Sequence, residues 1–250
     1  MDVQVVEGAR HLVVRATGLL DLHSGPVLQD VLLRAAAEQP RGLVCDLAEA
    51  GATREGLTVL HVVADQVADW PSSPLALVAS APPLLDELER LGLRRRLPVV
   101  PTLAQAASAL RITPRLLRAT TVLAPTTDAP AAARAFTGAA LTRWQAPSVV
   151  EGARWVVSEL VTNAVVHARS DVTVRVSLTG RRVCLAVADR GQGGEVRPDG
   201  GEGRGLRVVE RLTRSWGSLP RLRGGTVVWA VLDVDAPVST VLPQQAWRRA

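Results

Sequence analysis

Lysine is absent from this sequence, and aromatic residues are scarce. The 250 residues carry a net charge of +5. Because lysine is absent, every basic side chain other than the four histidines is an arginine. The arginines are scattered, and aromatic residues make up only 3% of the chain. Nucleic-acid-binding domains combine a basic patch with base-stacking aromatics or a helix-turn-helix, and no such pattern stands out. We therefore expect no direct nucleic-acid partner.

Long apolar runs and paired cysteines are lacking too. Charged residues interrupt every apolar run before membrane-spanning length, and the N-terminus lacks the basic start and apolar core of a secretory signal. The two cysteines, Cys45 and Cys184, lie far apart in strand-like runs, which favours small buried hydrophobes over a disulfide or a metal pair. These absences predict a folded, soluble, cytoplasmic protein with no membrane partner.

Residues 148–168 predict a helix with a polar stripe. Ser148, followed three residues later by Glu151, has the pattern of a capping box, which predicts the start of the helix. Apolar residues at helical spacing form one broad arc, and three polar residues spaced by four lie together beside it. They are Glu159, Asn163 and His167. The stripe has two interpretations, a functional site or an ordinary solvent-facing side of an amphipathic helix.

Two glycine-rich turns follow this helix. Asp189 comes directly after the apolar run 183–188 and is followed by Gly191 and Gly193, so a strand delivers a carboxylate into a glycine turn. Further on, a glycine loop opens into an apolar periodic segment, which predicts a second helix. The loop contributes Gly203, Arg204, Gly205 and Leu206. Free N–H groups and the positive end of a helix suit phosphate binding.

In this order the three motifs resemble the ATP-binding domain shared by gyrase, histidine kinases and MutL, and more closely the anti-sigma-factor serine kinases. The resemblance covers roughly the second half of the chain and includes Trp216-Gly217. It implies ATP and Mg²⁺ as cofactors, with Asn163 as the magnesium ligand and Glu159 orienting or deprotonating the attacking hydroxyl. His167 would contact phosphate or pack the helix.

The resemblance also assigns the rest of an ATP site. Asp189 would accept the adenine amino group, although a turn-forming aspartate is the alternative. Gly191 and Gly193 would allow a close backbone approach to the base and ribose. Thr226 would bond near the adenine or simply be a β-branched strand residue. The phosphates would be held by Gly203, Arg204, Gly205 and Leu206, and the lid before them, residues 194–202, is short for an efficient kinase.

The first half alternates strands and helices. We predict strands at 11–16, 42–47 and 75–78, and helices following Ser24 as an N-cap and at 56–67, 83–91 and 102–110. The order resembles a STAS domain, the fold of anti-sigma-factor antagonists. No serine stands at the family's phosphate-acceptor position, where this chain has Thr53 and Glu55. Glu55 either imitates a phosphorylated acceptor or is an ordinary first-turn residue.

The fold class we predict is α/β in two domains. Residues 1–113 would form a STAS-like sheet with covering helices, and 119–236 an α/β sandwich of the histidine-kinase-like ATPase type. A linker would span 114–118 and a loose tail 237–250. In the second domain we expect a first strand at 120–124, a helix at 131–144, a β-hairpin at 172–178 and 183–188, and a last strand at 226–232.

By resemblance, the function is that of an ATP-dependent serine/threonine kinase phosphorylating a serine of a separate STAS antagonist. The alternative is a nucleotide-gated module that binds a sigma factor or antagonist without phosphotransfer, which the missing acceptor serine and short lid favour. A histidine kinase is rejected because His11, His23 and His61 all fall in the first domain. We also expect the first domain to dock intramolecularly on the second, and a homodimer is an open possibility.

Overall fold

Two five-stranded sheets with covering helices make up the fold. The computed structural model describes residues 1–8, 11–70, 73–112, 116–191 and 204–234. The strands are β1 (Asp2–Glu7), β2 (Leu12–Leu20), β3 (Leu43–Ala52), β4 (Leu75–Val78), β5 (Val99–Val100), β6 (Leu116–Leu123), β7 (Val172–Thr179), β8 (Arg182–Ala188), β9 (Ser215–Pro220) and β10 (Thr226–Asp233). The helices are α1 (Gly25–Ala37), α2 (Arg54–Leu57), α3 (Val59–Asp69), α4 (Pro82–Arg90), α5 (Leu103–Ala109), α6 (Ala129–Arg143), α7 (Val150–Ala168) and α8 (Arg204–Leu212). The predicted α/β class with two sheets is confirmed.

The first sheet has the order β1-β2-β3-β4-β5. β2 to β5 pair in parallel, and β1 adds to the edge antiparallel to β2. One face buries Leu28, Leu32 and Leu60 of α1 and α3 against the strands, while Ala106 and Leu110 cover the other. Helices on both faces explain why β3 and β4 read as continuous apolar runs. β1 was not among our predicted strands.

The second sheet is antiparallel with the order β6-β7-β8-β10-β9. β7 and β8 form the predicted hairpin at its centre, with Thr179 opposite Arg182 beside the turn. β6 begins at Leu116, ahead of the predicted start at Thr120, and β9 was not predicted. α6 and α7 pack on each other, and α8 contacts α7.

The two faces of this second sheet are covered by different parts of the chain. Along β8, Val183, Leu185 and Val187 pack with α6 and α7 in the core of the second domain. The alternating residues Cys184, Ala186 and Ala188 face the other way, toward Ala37 and Trp70 of the first domain. Because successive side chains of a strand point to opposite faces, one strand serves both interiors. We call these the inner face and the outer face.

The outer face carries the contact between the domains. The indole rings of Trp70 and Trp229 stack with centroids 5.3 Å apart and planes 8° apart. Gly217, paired with Trp229 across β9 and β10, makes room for that ring, since a Cβ there would lie 2.8 Å from Cζ2 of Trp229. The two halves of the chain are therefore in direct contact through these rings.

Arginines of the second domain also bind the chain just past α1, where Arg175 donates to the carbonyl of the C-cap residue Glu38 at 3.4 Å. The carbonyl oxygen of Gln39 accepts from Nη1 of Arg118 at 3.1 Å and from Nη1 of Arg175 at 3.4 Å. The Glu38 carboxylate pairs with Arg221 at 2.5 Å. The last carbonyls of a helix lack partners in the helix, and cations there complement its dipole. The helix end is thus capped by the other domain.

The predicted cap of α7 is wrong, and that of α1 is right in position only. Ser148 donates to the carbonyl of Val234 instead of capping a helix, and Glu151 pairs with Arg154 at 3.2 Å. A short 3-10 turn, Pro147–Val149, precedes α7, which moves Ser148 out of the N-cap position. Ser24 is the N-cap residue of α1, as predicted, but its hydroxyl donates to the carbonyl of Leu19 and makes no cap bond to the helix.

Both cysteines are buried, as predicted, and neither forms a disulfide. Burial, with a smaller contribution from Asp46, raises the pKa of the Cys45 thiol to about 12. Among the described residues, no helix has the length and apolar character needed to cross a membrane.

Candidate nucleotide site

Asp189 is the centre of the candidate site. It follows β8 directly, and its side chain is buried, with only 9% exposed. Its backbone N–H donates to the carbonyl of Thr226 at 3.0 Å, which closes the end of the β8–β10 ladder. Its Oδ1 accepts from the N–H of Gly191 at 2.9 Å and from the N–H of Thr226 at 3.3 Å. The carboxylate is therefore fixed in direction by two backbone donors.

A glycine before β10 allows this close approach. Gly225 has φ +80°, and a Cβ there would lie 2.1 Å from the carbonyl oxygen of Asp189. Its neighbour Gly224 has a similar φ of +82° but open space around it. Left-handed backbone and close contact both exclude a side chain at 225, whereas only the backbone condition applies at 224.

The turn after Asp189 rests on the end of α7. A Cβ at Gly191 would lie 3.0 Å from the Cβ of Ala168, the last residue of that helix. The N–H of Arg190 donates to Oγ of Ser170 at 3.0 Å, just past the helix. The packing thus joins the acidic turn to the helix that carries the polar stripe.

The stripe on α7 is present, and its members differ in exposure. Glu159 and Asn163 are partly buried, while His167 is exposed in the last turn. Burial raises the pKa of the Glu159 carboxyl above its usual value. No described residue forms a hydrogen bond with the side chain of Asn163. A half-buried carboxyl without a cationic partner holds a proton more readily than a solvated one.

The phosphate loop lies largely beyond the described part of the chain. Gly193, Gly203 and the lid 194–202 are outside the described residues, as is the tail from 237 onward. Arg204, Gly205 and Leu206 open α8, as the motif predicts, and the helix packs on α7. The predicted glycine-loop-to-helix transition therefore has its helix, beside the helix of Asn163.

Two residues of the site were missed by sequence reasoning. Ser170 holds the Asp189 turn, but a serine after a helix carries no signal of such a role. Gly225 is the second of two adjacent glycines before the last strand and was not singled out. A repeated glycine ahead of a strand indicates a left-handed turn, and that signal could have singled it out.

The donor set suits a nucleotide with a magnesium ion. One oxygen of the buried Asp189 is taken by backbone donors, and no described residue donates to the other, which leaves an acceptor of fixed direction for an amino group. In the described ranges no group of three or more histidine, cysteine, aspartate or glutamate side chains could hold a metal. A single amide ligand such as Asn163 instead fits Mg²⁺, which retains waters and phosphate oxygens.

One cavity lies apart from the candidate nucleotide residues. It has a volume of about 630 Å³ and lies between α6 and the first turns of α7. Its lining includes Arg134, Arg154 and Trp155. None of the predicted nucleotide residues lines it, so we do not include it in the site.

Comparison with known families agrees with the second-half resemblance. Residues 123–232 match the family described as histidine kinase-like ATPase domain. This segment, less than half of the chain, contains α7, the Asp189 turn and β10. No curated protein matches the chain.

Solved structures similar to this chain include anti-sigma factor antagonists. One from Mycobacterium paratuberculosis is 25% identical, with a TM-score of 0.41, and the match covers 44% of this chain and 93% of that one. The phosphorylated Bacillus cell fate determinant SpoIIAA is 16% identical, with a TM-score of 0.34, and the match covers 44% of this chain and all of that one. The likeness lies in the N-terminal part.

Proposed function

We propose that this protein is an ATP-binding regulator of the partner-switching type, a serine/threonine kinase that phosphorylates a serine of a separate STAS antagonist. The observation that carries the proposal is the buried Asp189 carboxylate, held by two backbone N–H groups at a strand end beside α7. The match of residues 123–232 to a histidine kinase-like ATPase domain supports ATP as the ligand.

Each residue has a role in this proposal. Asp189 would accept the adenine amino group, with Gly191 and Thr226 fixing its direction. Asn163 would hold Mg²⁺, and the start of α8 would face the phosphates with its free N–H groups. When bound, magnesium and ATP supply an activated phosphoryl group whose developing charge the metal offsets.

Glu159 would hold the proton that the substrate hydroxyl gives up. It lies one turn before Asn163 on the same side of α7, and its partial burial favours the protonated form relative to a solvated carboxyl. A glutamate with a raised pKa is a better proton acceptor for that task.

ATP binding by calorimetry, with and without Mg²⁺, tests the nucleotide site. We expect magnesium-dependent binding in the wild type, lost in both Asn163→Ala and Asp189→Asn. Asp171→Asn is the matched control, since Asp171 is an exposed carboxylate of the same domain, and it should bind normally. Absence of binding in the wild type would refute the proposal.

A nucleotide-gated binding module without phosphotransfer is the alternative. This alternative is favoured by the residues that stand where the STAS family has its phosphate-acceptor serine. Thr53 accepts from the N–H of Gly56 at 3.2 Å as the cap of α2, and Glu55 is an exposed first-turn residue. Glu159→Gln separates the two functions. A kinase would lose phosphate transfer to the antagonist, whereas a module would retain its partner affinity and show no transfer in either form.

The domain contact suggests how a partner is controlled. We propose that the first domain, docked through Trp70 and Glu38, competes with an external antagonist or sigma factor. Trp70→Ala should then raise affinity for that partner, measured by titration with a labelled antagonist. Unchanged affinity in a variant shown to be undocked would rule out competition. A homodimer of the ATPase domain remains part of the proposal, to be tested by sedimentation.

A further inference from the structure

A charged groove lies between the two domains, away from the candidate nucleotide site. Its volume is about 870 Å³. The first domain lines it with the ends of β1 and β2 and the segment after α1, and the second domain with β6 and the turn before β10. Its titratable residues are Glu7, His11, Glu38, Arg41, Arg118 and Arg223. Asp189, Gly191 and Thr226 do not line it.

Both carboxylates of the groove are already engaged. Glu7 pairs with the guanidinium of Arg223. Glu38 pairs with Arg221 at 2.5 Å, and its other oxygen accepts from the N–H of Arg223 at 3.2 Å. Neither carboxylate is left to offset a further positive charge.

Arg41 and Arg118 line the groove, and neither pairs with a carboxylate among the described residues. Arg118 donates through Nη1 to the carbonyl of Gln39, but its Nε and Nη2 have no partner. Burial first, and then the charge of Arg41, lowers the pKa of the Arg118 guanidinium. Arg175 is also affected by like charges. Burial first, and then the charges of Arg118 and Arg221, lower the pKa of its guanidinium to about 10.

The end of α1 does not neutralise this cluster. A helix C-terminus carries roughly half a negative charge, but here the carbonyl of the C-cap residue Glu38 accepts from Arg175, while Arg118 bonds the carbonyl of Gln39, one residue beyond the cap. The charge of Arg41 acts on the partly buried Arg118, and such repulsion raises the free energy of the docked state. An anion in the groove would remove that cost.

We propose that the groove between the domains is a binding site for a small polyphosphate anion, which bridges Arg41 of the first domain and Arg118 of the second and stabilises the docked arrangement. Two guanidinium charges, one on each wall, suit a ligand with several charged oxygens, since each cation can attract a different oxygen. A monovalent carboxylate would offset only one. The site is independent of ATP binding at Asp189.

Pyrophosphate is the probe that we would use. Calorimetry is run on the full chain, without Mg²⁺ and in a buffer free of phosphate, for the wild type, Arg41→Gln and Arg143→Gln. Arg41 and Arg143 are both exposed, so their replacement removes the same charge without opening a core. We expect saturable binding that weakens about tenfold in Arg41→Gln, as for one lost charge-assisted contact, and less than about twofold in Arg143→Gln.

Two further arms identify the ligand's source and the site. ATP is titrated against bound pyrophosphate, which tells whether the groove takes free polyphosphate or also the phosphates of a nucleotide. Asp189→Asn should bind pyrophosphate like the wild type, because the groove does not include Asp189. No saturable binding, equal weakening in both arginine variants, or loss of binding in Asp189→Asn would each overturn the proposal.

Discussion

The inner and outer faces of the second sheet differ in what holds them. The inner face is a continuous apolar core, in which valine and leucine side chains meet α6 and α7. The outer face has small side chains, one stacked pair of indole rings, and arginines around the end of α1. The first has the composition of a domain interior and the second that of an interface between proteins, with aromatic and arginine anchors. The difference indicates that the inner face forms the domain and the outer face joins it to another.

Neighbouring residues of β8 test this contrast most directly. Leu185→Ala, on the inner face, should lower the free energy of unfolding by about 3 kcal/mol because it leaves a cavity in a closed core. Cys184→Ala, on the outer face, should lower it by less than about 1.5 kcal/mol, because a smaller volume is removed. Urea unfolding measures both, and equal losses would contradict the contrast.

The stacked indole rings of Trp70 and Trp229 test the contrast between the two faces from the side of the outer face. Trp70→Ala and Trp229→Ala each remove one ring of the stack, and their double-mutant cycle should give a coupling free energy of about 1 kcal/mol. Small-angle scattering of Trp70→Ala should show a larger radius of gyration, because the domains separate while each keeps its own core. Additive losses in the cycle would mean that the stack contributes only surface burial.

Gly224 and Gly225, just before β10, test the close contact with Asp189 at the end of the second sheet. Gly225→Ala should lower the free energy of unfolding by about 3 kcal/mol or less and abolish ATP binding, since strain and a clash with the Asp189 carbonyl act together. Gly224→Ala should cost about 1 kcal/mol, because only its left-handed backbone is strained. Calorimetry and urea unfolding of this pair check the result, and equal losses would contradict a role for close contact.

The smallest effect is expected at Glu159, on the helix that covers the inner face. Its pKa is raised above the usual value of 4.5, so the folded state resists its ionisation. The resulting stability is fully present below the unfolded-state pKa and is lost as pH rises through the folded-state pKa. Glu159→Gln should therefore unfold at a slightly higher temperature than the wild type at neutral pH. The two should converge in acid, below the usual carboxyl pKa, and thermal unfolding across that range measures it.

The elements that the sequence predicted are those whose patterns are local. Strands such as β4 and β8 are short apolar runs, and α7 has clear helical spacing. β9 was missed because Ser215–Pro220 includes a glycine and a proline, and its strand state comes from pairing with β10. β1 was missed because most of its residues are exposed at a sheet edge.

Within the site, residue types were predictable and their supports were not. Asp189 and its glycines stand in a recognisable order. The hydrogen bond from Arg190 to Ser170 and the contact of Gly191 with Ala168 join distant segments, and no local pattern encodes them. The capping box failed for the same reason, because Ser148 is engaged by Val234 from the far end of the domain.

The alternation along β8 has a consequence for how the protein unfolds. Since β8 contributes to both interiors, its removal from the sheet would expose the core of the second domain. It would also expose the surface on which the first domain packs. The docked chain should therefore melt as one cooperative unit in the calorimeter. A chain with its domains apart should show two separate transitions.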